Sequence, residues 1–257
     1  MAHLTTRFFA NTLGMCARCE VLLPDRPQPG RPIPTLYLLH GQSDDETIWM
    51  RRSAIERYAG AYYLAVVMPF GDRSYYSDRP DGTRYFSYIA EELPSIMESY
   101  FPLDKSRSGR FIAGLSMGGF GTFKTALNFP ERYAAAAGMS SVCDLEWIRK
   151  SSPALFAGNF GEGYRVAPPN DLFAAASAVA NLPRESRPRL FQYCGVEDFL
   201  YADNVRFRDH LTSLGLLDHW EEGPGGHSWE NWDARIQNIL KWLPLSENIR
   251  KTDAIGI

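Results

Sequence analysis

The chain is predicted to adopt an α/β fold: a mostly parallel central sheet, helices on both of its faces, and an antiparallel hairpin at its N-terminal edge. Three observations predict it. Short continuous apolar runs ("TLYLLHG", "AYYLAVVMP", "RFIAG", "YAAAAGMS", "RPRLFQYCG") close at turn residues, as strands buried on both faces do. Stretches of helical periodicity lie between them. The opening "TRFFANTLGMCARCEVLLP" reads as two adjacent strands with no helix between. The 257 residues are expected to form one domain over 1–257, long enough to bury a sizeable core.

After the hairpin, "LPDRPQPGRPIP" (23–34) is an exposed turn rich in Pro and Gly. "TLYLLHG" then ends at Gly41, and "AYYLAVVMP" at Pro69. From Tyr85, apolar residues recur at Ile89, Leu93, Ile96, Met97 and Tyr100, one helical face that Pro94 should kink or divide. "RFIAG" leads into "GLSMGGF" (114–120) and the helical "MGGFGTFKTALNF", which stops at Pro130. Residues 144–186 hold helical pieces but no good strand, and are expected to make an excursion over the carboxyl edge of the sheet. "ADNVRFRDHLTSLG" reads as a helix capped by Asp203 and stopped by Gly215. "LLDHWEEG" is the last strand, and "SWENWDARIQNILKWL" an amphipathic final helix with Trp232, Ile236, Ile239, Leu240 and Leu243 inward.

Composition is ordinary for a globular chain: 45% hydrophobic and 22% charged residues. A net charge of −3 argues against a broad nucleic-acid surface. The uncharged stretch "YAGAYYLAVVMPFG" is broken by Pro69 and too short to span a bilayer. The opening shows no charged leader before a long apolar core, so a cytoplasmic protein is expected. Of four cysteines, Cys16 and Cys19 have redox or zinc spacing but lie in a strand, with no second Cys/His pair nearby. They read as strand cysteines, and no metal site is expected.

Gly114, Ser116 and Gly118 form G-x-S-x-G. The pattern is weak alone, but a strand precedes it and a helix follows. In that setting a serine sits on a strained, exposed turn whose flanking positions cannot hold a Cβ. A serine hydroxyl needs a base, and the base an orienting acid. Among five histidines, His227 lies in "GPGGHSW", a glycine-rich loop between the last strand and the last helix. His40 closes an early strand and reads as support for that loop. Asp198, three residues beyond Gly195, is the expected acid, with Glu197 as its rival. The order Ser116, Asp198, His227 is that of α/β-hydrolases. The amides of Met117 and of Gln42, which follows Gly41, are the expected oxyanion donors.

The chain resembles the esterase D / tributyrin esterase family of α/β-hydrolases over nearly its full length. "LLHGQSDDETIWMRRSAIERYA", "VVMPFGDRSYYSD", "YIAEELPSIMESYFP", "FIAGLSMGGFGTF", "YCGVEDFLYADN" and "GGHSWENWD" carry the resemblance. It implies the α/β-hydrolase fold, the triad Ser116, Asp198 and His227, oxyanion donors on Gln42 and Met117, and no metal or organic cofactor. It also implies cleavage of a small-molecule acyl ester and a homodimer or homotetramer. Relatives acting on acylated sugars, hydroxycinnamoyl esters or S-formylglutathione make those the alternatives. Leu115 and Phe120 stand where S-formylglutathione hydrolases usually carry histidine, which argues against the thioester. "SDDETIW" lacks the small residues often seen in that loop. Trp49, Tyr75, Tyr76, Phe120, Phe199 and Trp229 are the expected pocket walls. Arg73, Arg79 and Arg84 offer charges that an anionic substrate could meet, but read as solvated. From another class, a non-catalytic binding module would need a missing triad member.

Overall fold

The computed structural model describes residues 1–245; residues 246–257 of the expected domain lie outside the described residues. The elements run β1 (Ala2–Ala10), β2 (Met15–Leu23), β3 (Thr35–Leu39), α1 (Ile48–Arg52), α2 (Ile55–Ala59), β4 (Ala65–Pro69), α3 (Tyr85–Ser87) and α4 (Leu93–Tyr100). They continue with β5 (Arg110–Leu115), α5 (Met117–Asn128), β6 (Ala135–Met139), α6 (Leu145–Ser151), α7 (Pro153–Phe160) and α8 (Leu172–Val179). β7 (Arg189–Gly195), α9 (Tyr201–Ser213), β8 (Leu217–Gly223) and α10 (Trp229–Trp242) complete the order.

The eight strands form one sheet in the order β1-β2-β4-β3-β5-β6-β7-β8. β1 pairs with β2, and β2 with β4, antiparallel; every other pair is parallel. Every residue of β3, β4, β5 and β6 is buried, which is why these strands read as unbroken apolar runs. Successive side chains serve opposite faces. Leu36 and Leu38 pack with Ile48, Ile55, Trp232 and Ile236 from α1, α2 and α10. Tyr37 and Leu39 pack with Ile89, Phe123, Leu172 and Phe207 on the other face. Among the described residues no helix is long and apolar enough to cross a membrane.

The hairpin is tied down at its tip. The Glu92 carboxylate accepts from the amides of Asn11 (2.6 Å) and Thr12 (2.8 Å) and from the Thr12 hydroxyl. Glu92 closes a π-helical turn, Tyr88–Glu92, between α3 and α4. The expected division at Pro94 appears as this turn. Proline has no N–H for the Ala90 carbonyl one turn back, and Arg132 Nη1 donates to that carbonyl instead, at 2.6 Å. Cys16 is exposed and Cys19 buried, so the two thiols leave the strand on opposite faces.

The 144–186 stretch forms α6, α7 and α8 and is pinned to the loop after β4. Asn159 donates to the Arg73 carbonyl (2.8 Å), and its side-chain oxygen accepts from Arg79 (2.8 Å). Arg79, expected to be solvated, is instead largely buried and paired with Asp72 at 2.8 Å. Asp203 does not cap α9: the N-cap is Leu200, and the Asp203 carboxylate accepts from the amides of Cys143 (2.8 Å) and Asp144 (3.1 Å). It ties α9 to the start of α6.

Lys124 on α5 is 1% exposed. Its ammonium donates to the Tyr76 carbonyl (3.0 Å) and the Ser77 hydroxyl (2.9 Å) and lies over the Phe86 ring, but no carboxylate pairs with it among the described residues. Burial pushes its pKa down to about 7, and the more distant Asp78 charge only partly opposes this. An unfolded lysine ionises near ~10.4. Between the two values the unfolded chain holds a proton that the folded chain lacks, so stability rises with pH across that window. Lys124→Met should abolish this rise. Urea unfolding at about pH 6.5 and about pH 9.5 should give wild type a gain over the variant on the order of a few kcal/mol. The same pH dependence in both proteins would contradict a buried, uncompensated ammonium.

Candidate active site

β5 ends at Leu115, and the chain turns at Ser116 into α5. Ser116 has φ 53° and ψ −117°, a conformation costly for any residue with a Cβ. Its amide donates to the Met139 carbonyl (2.9 Å), and its carbonyl accepts from Val142 (3.2 Å). The glycines are there for space. A Cβ on Gly118 would lie 2.6 Å from the Leu39 carbonyl oxygen and 2.7 Å from that of His40. A Cβ on Gly114 would lie 2.5 Å from the Gly118 backbone. Helix and strand therefore meet backbone to backbone.

His227 lies on the loop after β8, and its Nε2 is 3.0 Å from Ser116 Oγ. Its Nδ1 faces the Asp198 carboxylate at 2.9 and 3.1 Å. Asp198 sits on the turn after β7 with its side chain fully buried. Burial raises its pKa, but the hydrogen bond and charge of His227, the Leu200 amide (2.9 Å) and the Ser140 hydroxyl outweigh this, and the carboxyl is held below the usual range. The structure thus brings Ser116, His227 and Asp198 into one hydrogen-bonded chain. Glu197, the rival acid, points elsewhere: its carboxylate accepts from the Gly225 amide and so anchors the loop that carries His227.

Ser140 was not legible as a site residue. It has φ 47°, is fully buried, accepts from Trp232 Nε1 at 3.1 Å and helps hold the Asp198 carboxyl down. Its only sequence signal was its place just past an apolar run.

His40 supports the loop after β3. Its Nδ1 donates to the Gly41 carbonyl (2.7 Å), and its Nε2 accepts from the Gly71 amide (2.8 Å). Burial, against the weaker pull of the Gly41 contact, lowers its pKa to about 4, so it is neutral. Met117 opens α5 and has no acceptor within the helix for its amide. The Gln42 amide likewise has no protein acceptor among the described residues. The Gln42 side chain accepts from the Tyr75 hydroxyl at 2.6 Å.

These groups border a cleft of about 370 Å³. Gly41, Gln42, Ser43, Asp44 and Tyr75 form one side, and Leu115 and Ser116 lie among its lining residues. Trp147, Phe199, His227, Ser228, Trp229 and Trp232 complete it. Of the expected pocket walls, Phe199, Trp229 and Tyr75 line the cleft, whereas Trp49, Tyr76 and Phe120 do not and are fully buried. Trp49 donates its indole N–H to the Leu39 carbonyl (3.2 Å). Tyr76 donates to the His40 carbonyl (3.0 Å), and Phe120 packs edge-on against Tyr75. They brace the loops instead of facing a ligand. Trp147, on α6, was missed; it stacks on Phe199 with ring centroids 5.3 Å apart. Among the described residues no three His, Cys, Asp or Glu side chains gather as a metal site.

The strand order and the turn at its centre make this chain an α/β-hydrolase. It belongs to the Esterase family, whose model, described as "Putative esterase", matches residues 10–243. It is 27% identical over 262 residues to an acetyl esterase of Caldicellulosiruptor saccharolyticus, covering 95% of this chain and 98% of that one. It superposes on the fluorophosphonate-binding serine hydrolase FphF of Staphylococcus aureus with a TM-score of 0.87 at 35% identity, covering 94% of this chain and 98% of the other. The S-formylglutathione hydrolase FrmB of Staphylococcus aureus gives 0.83 at 35% identity, with the same coverage. The chain is a serine esterase by class.

Gly118→Ala tests the packing of the turn. With two carbonyl oxygens closer than any Cβ tolerates, the variant should lose more than about 2 kcal/mol of stability. Gly158→Ala on α7, where an added Cβ meets nothing within 4 Å, should gain about 0.5 kcal/mol. Chemical unfolding curves for the two variants would give opposite signs.

Proposed function

We propose that the enzyme hydrolyses short acyl esters of small alcohols through an acyl-enzyme on Ser116. The observation that carries the reading is the chain from Ser116 Oγ through His227 to the buried Asp198. As Oγ attacks the ester carbonyl, His227 Nε2 takes its proton. Asp198 accepts the Nδ1–H and favours the imidazolium that forms. The amides of Gln42 and Met117 receive the oxyanion. His227 then protonates the leaving alcohol, and the acyl group stays on Ser116. Water, deprotonated by His227, releases the acid and restores the serine.

A second reading takes the alcohol or acid to be a ring, as in an acylated sugar or a hydroxycinnamoyl ester. The stacked Trp147 and Phe199 favour it, since both line the cleft with apolar ring surface and Phe199 packs against His227. The thioester reading draws on the likeness to FrmB and is opposed by Leu115 and Phe120.

Ser116→Ala should lower p-nitrophenyl acetate hydrolysis at least about a thousandfold with little change in thermal stability. Wild type should label once with a fluorophosphonate probe, at residue 116. Equal rates from both proteins, or labelling elsewhere, would refute the assignment.

A further inference from the structure

Among the described residues, one carboxylate and no lysine or arginine lines the cleft. The carboxylate is Asp44, half-buried on the loop after β3. A Cβ placed on Gly41 would lie 3.0 Å from Asp44 Oδ2 and 3.8 Å from Ser116 Cβ, so carboxylate and serine flank the same glycine. The Asp44 amide donates to the Gly41 carbonyl (3.3 Å), closing a turn that holds the carboxylate beside Gly41. No ion pair forms on Asp44 among the described residues, and Arg51 and Arg52 reach it only through longer-range attraction. Burial raises its carboxyl above the usual range. Trp147, Phe199 and Trp229, which also line the cleft, supply rings and no positive charge.

We propose that Asp44 is a specificity-determining residue that disfavours acyl donors carrying a carboxylate, so that the cleft selects uncharged esters and thioesters. The proposal rests on the ester-hydrolysis reading. Two negative charges within several ångströms, in a cleft walled by apolar rings, repel by about three- to tenfold in an equilibrium or rate. Among the described residues no lysine or arginine lines the cleft to offset this, and Arg51 and Arg52 act on Asp44 only from longer range. A glutathione thioester, with two carboxylates on its leaving group, meets the same penalty. A neutral alcohol avoids it and can donate a hydroxyl to Asp44.

The test uses two matched pairs: 4-nitrophenyl butyrate with 4-nitrophenyl hemisuccinate, and S-acetyl-N-acetylcysteamine with S-acetylglutathione. The first places the anion on the acyl group, the second on the leaving group. The Asp44 charge also faces the oxyanion formed from every substrate, so the readout is the neutral-to-anionic ratio of kcat/KM. Wild type should favour the neutral member of at least one pair. Asp44→Asn should narrow that preference about three- to tenfold, and Asp44→Glu should keep it. High salt should narrow it in wild type, a readout that does not depend on any variant folding. A ratio unmoved by Asp44→Asn and by salt overturns the proposal while leaving ester hydrolysis intact. Equal narrowing by both substitutions overturns it too, because shape and not charge would then be responsible. Hydrolysis of neither neutral substrate overturns the esterase reading, and this proposal with it.

Discussion

The close approach of Gly118 to the end of β3 is the contact on which the site depends. It lets α5 start directly above the Leu39 and His40 carbonyls and forces the chain through the strained conformation at Ser116. The strain is held by the Met139 carbonyl on one side and the Val142 amide on the other. The same stretch of β3 runs on through His40 into Gly41 and Gln42. One backbone contact therefore sets two positions together: the Ser116 hydroxyl, and the Gly41–Gln42 turn that lines the cleft. Any shift of α5 away from β3 would move the two apart.

The loops around that contact are braced by side chains whose chemistry suggested other roles. His40 could have been a base, yet both ring nitrogens are used, and the Gly71 amide needs an unprotonated Nε2. A charged His40 would leave that amide without its acceptor, which agrees with a pKa lowered by burial. Tyr75 and Tyr76 both have positive φ, at 52° and 46°, and their hydroxyls reach the Gln42 side chain and the His40 carbonyl. Two adjacent tyrosines in this rare conformation prop the Gly41–Gln42 turn from beneath.

Much of this was legible because it depends on local constraints. A glycine on each side of a serine, between a strand and a helix, has few physical explanations. The apolar runs declared strands buried on both faces, and the helix-free opening declared the hairpin. The position of Asp198 three residues past a strand end, and of His227 in a glycine-rich loop, placed both at one edge of a parallel sheet. What stayed hidden depends on register and long-range packing. Nothing in "RSYYSD" announces that φ turns positive at Tyr75 and Tyr76, so the ring directed at the cleft loop could not be told from the ring beneath it. Asp203 has the residue type and place of a helix cap, but the orphan amides it meets are those of Cys143 and Asp144, some 60 residues away. Ser140 and Trp147 lie in segments with no motif, and only the folded chain brings them to Asp198 and Phe199.

The two carboxylates near Ser116 show how environment separates the roles of like residues. The Asp198 side chain is wholly buried, yet it has His227 and the Leu200 amide as donors, and with the nearby Ser140 hydroxyl these stabilise its charge. Trp232 donates to Ser140, and its ring packs edge-on against His227, so one side chain from α10 steadies both the hydroxyl near Asp198 and the imidazole. Asp44 has the opposite surroundings: partial burial and, among the described residues, no paired cation. A charge compensated from within acts on its neighbours through geometry, here by fixing the orientation of His227. A charge left largely uncompensated at a cleft wall projects its field into the space where a substrate must sit. In the proposed reaction the first arrangement serves the proton transfer common to every substrate, and the second adds a charge whose cost depends on the charge the substrate carries.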